Sequence, residues 1–438
     1  MKYVSSYRTL LMLAATFLLA ACSADEPSAP EPIDSDFEGI VLNISNPRSN
    51  STRAEGENDF GVLEGDEGKI SSLTIMAYPQ SGTDKTPAVK VVSGTDLTAA
   101  TVGSKPSDEW YIKVPFRLKE GSYNIYVMAN VDKSNLCYDK NSYSSSSSDM
   151  ETILKGVTEA NLGHLNISAE PTADGSAIPM SCHANAVEWK AKGDASNSKG
   201  TITIKKKETT TVYATLIFAM AKVNYTVYNG KIPMLKMASD ASKVQFLNYD
   251  SRVGLLDHIN DDDHKKPGID LEGTVVATPK SVGSNGTFFK CKKADYPDNG
   301  GPDEEYYTGL KPKSDSDPGD EIDPSSSDTW VYQGVAYVPE RLFIESTPDP
   351  TMIKFNFAPA KAGVDVSQYN KAHEFGGEDI IYNPLNPGHD HAENDGSSKH
   401  YGVVRGVIYD VLIYTTRKDI TLQVRVRPWA YAKYTWTL

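Results

Sequence analysis

Phe37-Glu38-Gly39-Ile40-Val41-Leu42-Asn43-Ile44 sets Ile40, Leu42 and Ile44 on one face of an extended chain. That period-2 alternation marks a half-buried β-strand. The residues before it, 23–36 (SADEPSAPEPIDSD), are mostly Ser, Pro and acid, a solvated tether with little to bury. After it, Asn46 to Gly56 form an open polar loop carrying Arg48 and Arg53. Proteases cut such loops because the backbone is easily drawn into an extended conformation. A single apolar strand is thus set between a tether and a cleavable loop.

Further along, short runs rich in Val, Ile, Thr, Tyr and Phe recur between Gly, Pro, Asn, Asp and Ser. They are Ile70–Tyr78, Trp110–Phe116, Tyr123–Met128, Thr201–Ile204, Val212–Tyr228, Thr274–Ala277, Thr329–Val338, Ile353–Phe357, Val403–Tyr414 and Ile420–Val426. Only Asp149–Leu162 offers a short helix in competition. Strands of this length and spacing predict an all-β protein built of sandwiches. Ser142–Ser148 and the Asp/Pro/Ser-rich segment 294–328 read as surface insertions. No internal repeat of fixed period is visible. The polar run Lys205–Thr211 ahead of Val212 suggests a boundary there, giving units 54–211 and 212–438.

The length of 438 residues allows two or three domains. With 44 basic and 58 acidic residues the net charge is −14, which argues against a nucleic-acid partner. Residues 1–21 read as a signal peptide. Lys2 and Arg8 form a basic start, Leu10–Ala21 is an apolar run too short to span a bilayer, and Leu19-Ala20-Ala21-Cys22 resembles a bacterial lipobox. Cys22 is then the lipidation site and Ser23 fits onward transport to the outer membrane, where acyl chains on Cys22 hold the precursor. Cys137, Cys182 and Cys291 remain, an odd number, so at least one thiol is unpaired within the chain.

Over nearly its whole length the chain resembles the fimbrillins, the pilin subunits of type V pili in Bacteroidetes. The lipobox, the first strand and the loop Thr52-Arg53-Ala54 carry the resemblance, with the strands Lys69–Tyr78 and Gly121–Asn130, the turn Ile178–Ser181, the strand Phe218–Val223, and Val403–Val411 before a terminal strand ending at Trp429. Phe218 stands where an Arg is frequent in the family. The resemblance implies two transthyretin-like β-sandwiches in tandem and a lipoprotein precursor with propeptide 22–53. It also implies cleavage by an Arg-specific protease after Arg53, freeing Ala54, with Arg48 as second choice. The displaced strand would carry Ile40, Leu42 and Ile44. The vacated groove would take a strand from the next subunit's C-terminus, making a head-to-tail homopolymer. Residues 1–53 hold four basic and six acidic residues, so the remainder keeps a net charge of −12.

The C-terminus suits the donor role. Leu422, Val424 and Val426 alternate with polar residues, Pro428 interrupts, and an aromatic tail follows with Trp429, Tyr431, Tyr434 and Trp436. Either both stretches complete the second domain's own sheet, or 421–427 stays intramolecular while part of 429–438 is donated. Metal and catalytic patterns are weak. His389-Asp390-His391 with His400, and His258 with His264, read as solvated loops, and the acidic run Asp315–Asp323 lacks the ligand order of a calcium hand. No G-x-S-x-G, H-E-x-x-H or paired C-x-x-C occurs. The expectation is a fimbrial shaft subunit serving adhesion to a host or bacterial surface receptor, with no cofactor, no metal and no enzymatic activity. The alternatives are a tip or accessory pilin and a monomeric glycan-binding surface lipoprotein.

Overall fold

The structure is a computed structural model. It describes residues 39–45, 67–102, 111–255, 275–290, 330–344, 350–374 and 400–428, apart from short interruptions within 139–145, 185–195, 230–240, 283–285 and 360–361 and at 404 and 416–419. The described chain is nearly all strand, in keeping with the all-β expectation. Asp149–Leu162 gives one turn and a half of α-helix, Met150–Lys155, and a 3-10 turn, Glu159–His164. Asp149 caps that helix by accepting from the Thr152 N–H at 2.7 Å. No described helix is long and apolar enough to cross a membrane.

Two sheets make the N-terminal half. In the first, β1 (Gly39–Ser45) lies between β4 (Tyr111–Arg117) and β10 (Thr209–Thr215), with β9 (Glu188–Lys190) beyond β10 and the short strands Thr101–Val102 and Ser198–Lys199 at the ends. The second runs β11 (Ile217–Phe218), β8 (Met180–Cys182), β5 (Gly121–Ala129), β2 (Ser72–Pro79), β3 (Ala88–Ser93). Their facing side chains form one core, with Ile40, Leu42, Val114 and Val212 from the first sheet meeting Ile75, Val127 and Met180 from the second.

β2 shows how sequence sets layer. Leu73, Ile75 and Ala77 point into that core, while Met76 and Tyr78 point into a separate cluster with Ile153, Leu154 and Ile167 on the outer face. Both faces are covered, so Leu73–Tyr78 are buried without interruption, Thr74 included, and burial does not alternate.

The C-terminal half repeats the plan. β12 (Met220–Asn229) lies between β16 (Trp330–Pro339) and β18 (Val407–Thr415), with β15 (Thr287–Lys290) and β19 (Ile420–Pro428) outermost. A facing sheet includes β13 (Val244–Leu247) and β17 (Met352–Phe355), and a second core lies between, with Val223, Tyr225, Phe246, Phe355 and Val411. In each half the first strand has one antiparallel and one parallel neighbour: β4 and β10 for β1, β16 and β18 for β12.

The expected boundary at 211/212 falls inside β10, whose residues pair with β1 and β9. The run Val212–Tyr228, read as one strand, is three. Its middle piece, β11, crosses to β8 in the second sheet, and the Ala219 N–H bonds the Pro179 carbonyl at 2.8 Å before β12 begins. The change of sheet system therefore lies at Ala219.

Buried polar contacts lock the halves together. Lys222 on β12 pairs with Glu67 at 2.8 Å, both side chains 1% exposed, and the Tyr337 hydroxyl donates to the same carboxylate. Tyr337 also exchanges two backbone hydrogen bonds with Thr172. Arg405 donates to Glu340 at 2.7 Å and to the Gly254 carbonyl. That carbonyl ends β14 (Arg252–Gly254), a strand paired with β7 (Leu165–Ser168) of the N-terminal half, whose other neighbour is β6 (Leu136–Tyr138). Cys137 and Cys182 are buried and unbridged, and Cys291 lies outside the described residues.

Removing one partner of a buried pair leaves the other charge uncompensated. Lys222→Ala or Glu67→Gln should each cost about 3–5 kcal/mol in urea unfolding, and Lys222→Met with Glu67→Leu should recover most of it. Burial also pushes the Cys182 thiol up to about 12 and raises the Tyr78, Tyr126 and Tyr225 hydroxyls. As pH rises through their ordinary values of 9.0 and 10.0 the unfolded chain ionises first. Unfolding free energy should therefore be full at pH about 8 and lower at about 11.

Candidate functional site at the first strand

β1 is held from both sides along its whole length. Ile40 stands opposite Phe116 and Thr210, Leu42 opposite Val114 and Val212, and Ile44 opposite Ile112 and Ala214. Ile40 and Leu42 are fully buried, and Val41 on the other face is 4% exposed. Burial of each such aliphatic side chain stabilises by roughly 1.5–3 kcal/mol. Taking β1 away would leave β4 and β10 with facing rows of unpaired N–H and C=O groups over an open apolar cleft. An edge of that kind is a template for another strand.

The walls of this slot differ in construction. β10 alternates buried and half-buried residues, with Thr210, Val212 and Ala214 inward. β4 carries Pro115, which contributes no N–H to a ladder. A proline suits the strand because its outer neighbour reaches only Tyr111 and Ile112. Lys90 Nζ donates to the Pro115 carbonyl at 2.6 Å, and burial holds that ammonium below its ordinary value, with Asp96 acting in the opposite direction.

Of the residues the sequence singled out, the structure brings Ile40 and Leu42 into the core and sets the Ile44 backbone in register. Cys22, Arg48, Arg53 and Ala54 lie outside the described residues, as do Trp429, Tyr431, Tyr434 and Trp436. The strand ahead of that tail is β19, paired with β18 from Ile420↔Thr415 to Pro428↔Val407, with Leu422 and Val424 half-buried against the second core. The stretch 421–427 therefore belongs to the chain's own sheet. His258, His264, His389, His391 and Asp315–Asp323 lie outside the described residues, and the described ones contain no group of three or more His, Cys, Asp or Glu able to hold a metal.

Sequence reading missed Glu67, Lys222 and Tyr337, which no local pattern joins. It also gave Gly39 no role, although glycine at the mouth of a strand was a signal open to reading.

The family described as "Major fimbrial subunit protein (FimA)" matches residues 40–267, a little over half of the chain. No curated protein matches. Among solved structures, the tip fimbrial protein Mfa3 from Porphyromonas gingivalis is similar at 12% identity and a TM-score of 0.41, covering 89% of this chain and 99% of that one. A fimbrial assembly protein from Parabacteroides distasonis gives 12%, 0.40, 89% and 98%, and the fimbrial anchor protein Mfa2 from Porphyromonas gingivalis gives 10%, 0.31, 90% and 99%. On the match over residues 40–267, the chain belongs to the major fimbrial subunit (FimA) family.

Proposed function

We propose that this chain is the shaft subunit of an adhesive fimbrium, exported as a lipoprotein acylated on Cys22 and released by an Arg-specific protease. The cut falls after Arg53, and subunits join when the C-terminal tail of one copy takes the place of β1 in the next. The observation that carries this reading is the position of β1: a strand from the chain's N-terminus, followed by an Arg-bearing segment, sits between two neighbours instead of at an edge. Membership of a fimbrial subunit family gives the coarser frame, a structural protein of cell-surface fimbriae and not an enzyme.

The physical logic is a molecule made complete and then opened. While β1 fills its slot, the precursor has no vacant ladder there and cannot pair through it. A single cut separates both Cys22 and β1 from the rest, so one event frees the subunit from the membrane and makes the slot available. Filling it from a second copy is a head-to-tail contact, which grows a filament. Two transthyretin-like sandwiches, with the junction moved to Ala219, form the repeating unit.

Purified precursor treated with an Arg-specific protease should yield Ala54 as the new N-terminal residue and a ladder of oligomers on native gels. Arg53→Ala should shift the cut to Arg48 or abolish it. Deleting 429–438 should leave the circular dichroism spectrum unchanged and stop the ladder. A clean cut followed by monomer alone would point instead to a monomeric surface lipoprotein, and undiminished growth without the tail would remove it as donor.

A further inference from the structure

The slot that β1 fills is not uniform along its length. Around Ile40 and Leu42 its floor is made of apolar side chains, which can adjust to a new occupant. At Gly39 the wall is backbone. A Cβ built on Gly39 would lie 2.3 Å from the Phe116 carbonyl oxygen and 2.9 Å from both Arg117 Cα and Leu118 N. Gly39 also has φ +146°, a conformation that L side chains rarely adopt. Phe116 and Leu118 are themselves buried in the first core, so this wall cannot retreat without drawing them out of it. Gly82, by contrast, has φ +87° with nothing within 4 Å.

We infer that the backbone of Phe116–Leu118 is a register stop for any strand occupying the place of β1, crossed only by glycine. This rests on the reading of β1 as a replaceable strand. Side-chain alternation forbids a slip of one residue, which would turn every apolar group outward, but a slip of two keeps the same face inward. The stop removes that second freedom in the direction that would bring a side chain to the place of Gly39. The occupant it fits is the tail of a second copy. Trp429–Leu438 contains no glycine, and Ala430, Ala432, Tyr434, Trp436 and Leu438 are all apolar, whereas the alternate set includes Lys433, Thr435 and Thr437. Such a strand is confined to the stretch opposite residues 40–45, with its even-numbered residues toward the core.

The test uses the full chain nicked by an Arg-specific protease and labelled peptides copying residues 37–47, read by native mass spectrometry. The natural peptide should bind, its Gly39→Val version should bind about tenfold or more weakly, and a peptide starting at Ile40 should lose less than that. Equal binding of the natural and Gly39→Val peptides would overturn the stop and leave strand replacement standing. Failure of the natural peptide to bind would overturn strand replacement, and the stop is then decided on the uncut chain. There Gly39→Val should lower the thermal midpoint well beyond Gly82→Val, and an equal or smaller drop would overturn it.

Discussion

The backbone ladder that ties β1 to β4 on one side and β10 on the other is the contact on which the N-terminal half depends. Take it away and the first sheet is two pieces, with β9 and β10 on one side and β4 on the other, joined only through the core. The interaction is short, seven residues, yet it combines two rows of hydrogen bonds with two fully buried side chains. A β-sheet is cooperative across its width, so its middle strand matters more than its length suggests. A cut beside an edge strand would leave the sheet intact, whereas a cut beside this one converts a covalent tie into a non-covalent one.

The halves are not beads on a linker. Glu67, the first described residue after the Arg-bearing segment, is held by Lys222 and Tyr337 of the C-terminal sheet. Arg405 reaches Glu340 and the end of β14, which is itself paired with a strand of the N-terminal half. Buried charges of this kind add little net stability compared with apolar packing, but they tolerate few alternative geometries. They fix one half of the described chain against the other.

Much of the fold was legible because the signal is local. The strands Tyr123–Met128, Thr329–Val338 and Ile420–Val426 appear within a residue or two of their expected ends, since Val, Ile and Tyr at short intervals need no distant information. Val212–Tyr228 failed for the same reason in reverse. Its composition is uniformly strand-like, and what divides it at Leu216 and Ala219 is a change of partner, which leaves no mark on propensity. The structural duplication was equally hidden, because β1 and β12 share a place in their sheets but not a sequence. At the site, Ile40 and Leu42 were readable from alternation, whereas Glu67, Lys222 and Tyr337 come from three separate stretches that only tertiary structure brings together.

One further property follows from the nine-residue pairing of β19 with β18. If the tail beyond Pro428 is seated in a neighbour, tension on the filament enters each subunit along the axis of β19. Its hydrogen bonds to β18 are then strained side by side in shear and yield together, instead of opening one after another like a peeled hairpin. β18 passes the pull to β12, whose Lys222 is anchored to Glu67 just ahead of the N-terminal sheets. In a fibre assembled this way the backbone ladders themselves would carry load from one unit to the next.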